Sequence, residues 1–432
     1  MKIHKLLIIL IIFASGAVMA GGIIIDAEIQ NTIEKIAQPV LLASRLTNAT
    51  IYVILDSKPN AFATNGEKIF LTSKLITLNK EPNIIRGVIA HEAGHITAGH
   101  VSSMSQKIED SRVVTAASII LGATLMGLTS SPEAMMTSVV GGAHFAQRDI
   151  LKFSRENEVA ADLRAVSYLR NSGYNEKGLV SLLEYFNTER SFKNINTYEI
   201  THPISIERVR NIKAFNINEP SFIEDPLLLH QYHMSIAKLA AINSDEAALL
   251  NLSSSAKQYY KCINYIIKRE HKKALLLINQ LIRQTPSYPY FYQTKAEIEV
   301  AEGNINAINS YSKVLSLTND NLVRIDKAIA TIILSKNKND IKAAISILEL
   351  NLNKMENNNV IIKHLTLAYD KIDDKTYCLY YRALSEYLHG DRRVAKNIAK
   401  AAIASAKSDA HIKKNSSNKA IENKINDILI AD

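Results

Sequence analysis

The stretch His91-Glu92-Ala93-Gly94-His95 holds residue types that could carry chemistry together. Four residues turn an α-helix through about 400°, so the two histidines project from one face, about one turn apart. That is the geometry two imidazoles need to share one zinc ion. Glu92 lies beside the first histidine, where a carboxylate can take a proton from a water held at the metal. A catalytic zinc needs a third protein ligand and one position open to water. Glu158 is placed to supply the ligand, in Phe153-Ser154-Arg155-Glu156-Asn157-Glu158-Val159-Ala160-Ala161-Asp162. Asp162, one helical turn further on, could accept a hydrogen bond from the distal nitrogen of a ligand histidine and fix its orientation. His202, in Thr201-His202-Pro203, lies in a loop, and spacing alone gives it no role.

The surrounding pattern supplies the elements that must position these groups. Ile84, Ile85, Val88 and Ile89 form an apolar stripe at helical spacing ahead of His91. Leu163, Ala165, Val166 and Leu169 continue the helix that carries Glu158. Upstream, Asp26 can cap a helix with apolar positions Ile29, Ile33, Ile36, Ala37, Val40 and Leu41, and Pro39 is placed to kink it. Ile51 to Leu55 is β-branched and reads as a strand. Asn60-Ala61-Phe62-Ala63 leads to Asn65-Gly66, a two-residue hairpin signal, and Lys68 to Thr72 returns as the partner strand. An exposed edge strand there could hold an extended peptide by main-chain hydrogen bonds. Val113 to Thr129 is nearly uncharged, weakly hydrophobic and short for a spanning helix. It reads as a buried or membrane-touching helical hairpin that could also serve as a lid.

At 432 residues the chain is long enough for two or three domains. It has no Trp, few Gly and Pro and many apolar residues, which points to a mainly α protein. The net charge of +9 comes from scattered lysines and reads as a solvated basic surface, not a nucleic-acid face. Lys2 and Lys5 precede an apolar run from Leu6 to Phe13, and small residues lead to Val18-Met19-Ala20. Residues 1–20 therefore read as a cleavable secretory signal, with no cysteine at the cleavage site for a lipid anchor. Export places Cys262 and Cys378 in an oxidising compartment, where they could be bridged or free. Residues 21–215 form the expected metallopeptidase domain, and the polar segment 216–226, with Pro220 and Pro226, reads as a linker. Over 227–408, Tyr265, Ala274, Ile278, Leu281 and Pro286 fit the spacing of a tetratricopeptide (TPR) repeat. Gly303, Ala307, Tyr311 and Val314 suggest a second, Ala344, Ile345 and Leu348 a third, and Ala383, Gly390, Ala395 and Ala399 a fourth. Ala274, Ala307, Ala344 and Ala395 are 33, 37 and 51 residues apart, so the array is irregular. Stacked helix pairs of this kind curve into a concave binding surface. Residues 409–432 read as a polar, Lys- and Asn-rich tail, frayed or partly helical.

Asn60-Ala61-Phe62-Ala63, Ala90 to His95, Ser154-Arg155 through Glu158 to Asp162, and Thr201-His202-Pro203 with Arg208 occur in one order. In that order they resemble the zinc metalloendopeptidase family named for the CAAX-prenyl protease, in the exported bacterial branch whose peptidase domain is followed by TPR repeats. The resemblance covers roughly residues 26 to 215. It implies a gluzincin-type domain, mainly α with a small β-sheet, followed by an α-solenoid. It implies one Zn2+ per chain on His91, His95 and Glu158, with Glu92 as general base and Asp162 behind a ligand histidine. Asn60, Ala61, Phe62 and Ala63 become the substrate strand. The resemblance also implies that His202 can approach the zinc and occupy the water site, switching the enzyme between latent and active states. Arg208 is implied to steady the cleft or the tetrahedral oxyanion. Ala160 departs from the pattern, where relatives often carry Glu, but it is not a ligand position. His100 fits the extended family helix, yet it lies five residues from His95, about 140° around, so it should not bind this metal. The implied activity is periplasmic cleavage of unfolded or misassembled envelope proteins, with outer-membrane β-barrel proteins and their assembly machinery as clients. The TPR surface would bind partners, with peripheral contact to a membrane. Two other readings stay open: a chaperone or adaptor working through the repeats, and a membrane protease with Val113 to Thr129 inserted.

Overall fold

A computed structural model describes residues 22–104, 155–189, 198, 202–203, 205–215, 222–352, 358–413 and 418–430. They fall in two compact units, one ending at Arg283 and the other beginning at Gln284. The signal segment and Val113 to Thr129 lie outside the described residues.

The first unit opens with strand β1 (Ile23–Ile24) and helix α1 (Ala27–Ala43). Asp26 caps α1, its Oδ1 accepting from Ile29 N at 2.9 Å, and Ile29, Ile33, Ile36, Ala37 and Val40 are buried. The helix continues past Pro39. Strands β2 (Thr50–Ile54), β3 (Ala61–Thr64) and β4 (Lys68–Thr72) complete a sheet in the order β1-β2-β4-β3. β2 and β4 run parallel, while β1 and β3 pair antiparallel with their neighbours. Tyr52, Phe70 and Phe62 stack across one face at 5.0 Å steps, and Ile51, Val53, Ile69, Leu71 and Ala61 are buried on the other. Thr64 pairs with Lys68, so the loop has three residues rather than the two expected. The left-handed pair is Gly66 (φ 77°) and Glu67 (φ 56°), one position beyond Asn65-Gly66.

Thr72 ends β4 and caps helix α2 (Ser73–Leu78). Helix α3 (Pro82–Thr97) starts with Pro82 in its first turn, where the missing N–H costs no bond, and is buried from Ile84 through His95. Helices α4 (Arg155–Asn171), α5 (Lys177–Glu189) and α6 (Ile206–Ala214) follow. Two glycines allow α3 its close neighbours. A Cβ on Gly94 would stand 2.6 Å from Ala161 O of α4, and one on Gly87 2.6 Å from Leu179 N of α5. Any larger residue at Gly94 would push away the helix that carries Glu158.

The first unit does not stop at the expected 216–226 linker. Glu224 makes a two-pronged ion pair with the buried Arg86 of α3, at 2.5 and 2.9 Å, and the Arg86 guanidinium lies 4.0 Å from the Tyr174 ring centroid. Phe222 meets the same ring edge-on. Helix α7 (Pro226–Ile242) then packs on α1 and α2, with Thr32 Oγ1 2.9 Å from Ser235 Oγ and Tyr232 donating to Ile76 O at 3.1 Å. Lys238 meets Asp26 at 2.6 Å, and Tyr259 of helix α8 (Ser254–Ile267) donates to Glu28 at 2.7 Å. The ion pairs of Arg86 with Glu224 and of Asp26 with Lys238 bind the chain from residue 222 onward into the same core. Helix α9 (His271–Gln284) joins α8 through a Cys262 Sγ–H bond to Ala274 O at 3.4 Å.

In the second unit, helices α10 (Pro289–Ala301), α11 (Ala307–Leu317), α12 (Asn321–Leu334), α13 (Lys338–Leu352), α14 (Asn359–Lys371), α15 (Lys375–Leu388), α16 (Arg392–Lys413) and α17 (Asn418–Ile430) each pack on the next in the chain. Ala307, Ala344 and Ala395 are buried, and Gly303 and Gly390 turn the chain with positive φ. The long interval between Ala344 and Ala395 holds the additional helix α14. The segment read as a polar tail contains α17, whose Ile421, Ile425 and Ile428 pack with Ala383, Ala395, Ala399 and Ala402. Asn423, Lys424 and Asn426 are exposed on its other faces and mask that stripe. Cys262 is buried, Cys378 is half-buried, and no disulfide joins them. No helix among the described residues is long and apolar enough to cross a membrane.

Candidate metal centre

His91, His95, Glu158 and His202 meet in one buried cluster whose donor atoms all lie within 4.8 Å of one another. Helix α3 brings the two histidines and α4 the glutamate. The acidic first turn of α4, Glu156 and Glu158, suits the positive end of its dipole. His91 Nε2 is 3.1 Å from His95 Nε2, 3.3 Å from His202 Nδ1 and 3.4 Å from Glu158 Oε2. Glu158 Oε1 is 3.3 Å from His95 Nε2 and 3.2 Å from His202 Nδ1. Donors bound to one tetrahedral ion at about 2.0–2.1 Å stand about 3.4 Å apart. The separations here are close to that value, so the residues present fit a metal ion, with His202 beside the other three donors.

Asp162 and Arg208 lie directly behind the donors. Asp162 Oδ1 is 2.9 Å from His91 Nδ1, the nitrogen turned away from the cluster. Arg208 grips Asp162 with Nε (2.7 Å) and Nη2 (2.8 Å), reaches Glu158 Oε2 with Nη1 (2.7 Å), and donates to Pro203 O at 3.0 Å. One guanidinium therefore ties α4 to the His202 segment. Arg208 is aimed by α6, whose N-cap Ser205 accepts from its backbone N–H at 3.2 Å. Glu92 is fully buried, with His202 Nε2 3.5 Å from its Oε1. Strand β3 is a sheet edge and packs against α3. On it Ala61 is buried and Phe62 and Ala63 are half-buried, while Asn60 precedes the strand and its backbone N–H donates to Thr72 Oγ1 at 2.8 Å.

Burial and neighbouring charge oppose each other throughout the cluster. Burial pulls His91 down, but hydrogen bonds to Asp162 and Glu158 outweigh it and raise it to about 9. His95, also buried and beside cationic His91, falls to about 3. Burial raises Glu92, with His202 and His91 offsetting part of the rise. Burial would raise Glu158 as well, yet His202 and the hydrogen bonds of three histidines hold it well below the usual carboxylate range. Asp162 is likewise held low by Arg208 against burial, and Asp162 and Glu158 in turn hold the Arg208 charge in place.

Tyr198 had no mark in the sequence. Its carbonyl accepts from His202 N at 2.8 Å, its ring stacks on His202 at 4.7 Å, and Phe186 of α5 stacks on its other face at 4.8 Å. This buried aromatic stack fixes the His202 ring, and nothing in a lone Tyr four residues before a histidine announces it.

Two histidines from one helix and a glutamate from the next, buried with a braced carboxylate behind them, are the donor set of a metallopeptidase. Residues 25–216 match the model of Peptidase family M48. Across a longer stretch the chain is similar to the beta-barrel assembly-enhancing protease of Escherichia coli (strain K12), 22% identical over 291 residues, which is 65% of this chain and 59% of the relative. The putative beta-barrel assembly-enhancing protease of Vibrio cholerae is 24% identical over 267 residues, 58% of this chain and 54% of the relative. The mitochondrial metalloendopeptidase OMA1 of Schizosaccharomyces pombe is 26% identical over 168 residues, 38% of this chain and 46% of the relative. The chain thus spans rather more than half the length of the two bacterial relatives.

Proposed function

We propose that this chain is an exported zinc endopeptidase that cleaves unfolded or misassembled envelope proteins and is held latent by His202. The observation that carries the reading is the cluster of His91, His95, Glu158 and His202 donors beside the buried Glu92. Zinc bound there supplies a Lewis acid and brings the pKa of the attacking water toward about 7. The free edge of β3, from Ala61 to Ala63 with Asn60 before it, pairs with an extended peptide through main-chain hydrogen bonds. Glu92 accepts the proton of the attacking water on its carboxylate and returns it to the leaving amine nitrogen. Burial raises its pKa, which suits a group that must both take and give a proton. Asp162 orients His91. Arg208, with its nitrogens engaged by Asp162, Glu158 and Pro203 O, steadies the cleft as a positioning residue.

His202, beside the other three donors, occupies the place the water needs, so cleavage waits for the loop to withdraw. The names of the bacterial relatives support outer-membrane β-barrel proteins and their assembly machinery as clients. The signal-like N-terminus supports a periplasmic location with peripheral membrane contact. The chain-order packing of the C-terminal helices supports a TPR-type array that binds partners.

The test is metal analysis with casein cleavage by wild type and Glu92→Gln. One zinc per chain is expected in both, with cleavage lowered about 10²- to 10⁴-fold in the variant. Full activity in Glu92→Gln rules out this base. Rescue of barrel-protein assembly by Glu92→Gln would instead favour a chaperone role. His202→Ala should raise basal cleavage with zinc retained; unchanged or lower cleavage counts against latency.

A further inference from the structure

Helix α3 ends at Thr97, and Gly99 takes a φ of +73°, with open space where a Cβ would stand. The chain re-enters helix at His100. An uninterrupted helix would carry His100 about 140° away from His95. The left-handed turn at Gly99 brings it back beneath that residue. His100 Nδ1 stands 3.1 Å from His95 Nδ1, and the two rings meet at 66° with centroids 5.2 Å apart. His100 is not among the clustered donors. His95 turns its other nitrogen, Nε2, to His91 and Glu158.

A histidine that gives Nε2 to a metal keeps its proton on Nδ1. A nitrogen–nitrogen hydrogen bond needs one donor and one acceptor. His95 Nδ1–H is therefore the donor. His100 accepts on Nδ1 and carries its own proton on Nε2.

We propose that His100 is the positioning residue for ligand His95, a neutral imidazole that fixes the tautomer and ring plane of His95 as Asp162 does for His91. The inference rests on the zinc-site reading above. The two supports differ in kind. Asp162 is a buried carboxylate braced by Arg208, whereas His100 is neutral, half-buried and held by a turn that favours glycine. The site thus has a firm side at His91 and a weaker side at His95.

The test titrates the metal-free full chain with zinc against a chromophoric chelator, for wild type, His100→Leu and His100→Asn. Asn places Oδ1 where Nδ1 stands and keeps the acceptor, while Leu removes it. His100→Leu is expected to weaken zinc binding about 10-fold or more, and His100→Asn to restore most of the affinity. The cobalt(II) absorption spectrum should shift in His100→Leu and return toward wild type in His100→Asn. Equal zinc affinity in wild type and His100→Leu overturns the proposal, as does an Asn variant as weak as Leu. A wild-type chain that takes up no stoichiometric zinc overturns the metal-site reading and this inference together. A wild type that binds zinc while His100→Leu matches it sinks the role of His100 alone.

Discussion

The two compact units satisfy their polar groups across very different distances along the chain. In the first, His91 meets His202 across 111 residues, Arg208 meets Asp162 across 46, and Tyr259 meets Glu28 across 231. In the second, Tyr290 meets Asp320 across 30 residues, Gln293 meets Asp326 across 33, and Tyr369 and Tyr381 meet Glu349 across 20 and 32. The first unit holds charges inside a closed core, where each depends on a distant partner. The second is built of neighbours, with small Ala and Ile contacts between successive helices, so its stability approximates a sum of local terms. Damage should spread in the first unit and stay local in the second.

Arg208→Ala tests that contrast most severely. It leaves Asp162 and Glu158 buried without their shared guanidinium, and loss of one partner of a buried ion pair costs about 3–5 kcal/mol. Denaturant unfolding of the metal-free protein should show that loss in the transition of the first unit; a loss below about 1 kcal/mol would mean that the buried network is not what holds α4, α6 and the His202 segment together. Ile425→Ala, in the core of α17, should cost about 2–5 kcal/mol in the second unit only. Peptide cleavage and the first unit's unfolding should not move, and a single shared transition that shifts as one would erase the distinction. The smallest effect belongs to Lys338→Ala. The Lys338–Asp373 pair is 53% and 79% exposed, and its removal should change stability by no more than about 0.5 kcal/mol in thermal melts. A shift beyond that would show that surface charge contributes to a unit assigned here to apolar neighbour contacts.

What could be read from the sequence divides along the same line. Local signals were sound: the Asp26 cap, the stripe ahead of His91, the strands near 51 and 68, and the buried repeat alanines all have short-range causes. The four-residue spacings correctly set His91 with His95 and Glu158 with Asp162 on helix faces. Family likeness, not spacing, brought His202 and Arg208 to the cluster. The misses each depend on contacts that periodicity cannot encode. The left-handed pair falls one residue past Asn65 because the Thr64–Lys68 register fixes it. Glu224, inside the segment read as a linker, is paired with Arg86 of α3, a contact that periodicity gives no sign of. Helix α17 agrees with a partly helical tail, and only its packed stripe of Ile421, Ile425 and Ile428 went unread. His100 stays outside the donor cluster, as expected, but lies beside His95 because a single glycine breaks the helical phase.

One carboxylate near the start of the chain has a consequence for the order of assembly. Asp26 caps α1 through Oδ1 and pairs with Lys238 through Oδ2, while Glu28, two residues along, is met by the same lysine at 3.5 Å and by Tyr259. A chain delivered N-terminus first presents these two carboxylates long before residues 238 and 259 arrive. Burying α1 early would strand both charges at a cost of several kcal/mol each. Every residue of the metal cluster and its bracing, up to Arg208, is delivered before that lysine. The site's parts are therefore complete before the core that clamps them can close, and the position of Lys238 acts as a clock that delays a finished cleft until most of the first unit has emerged.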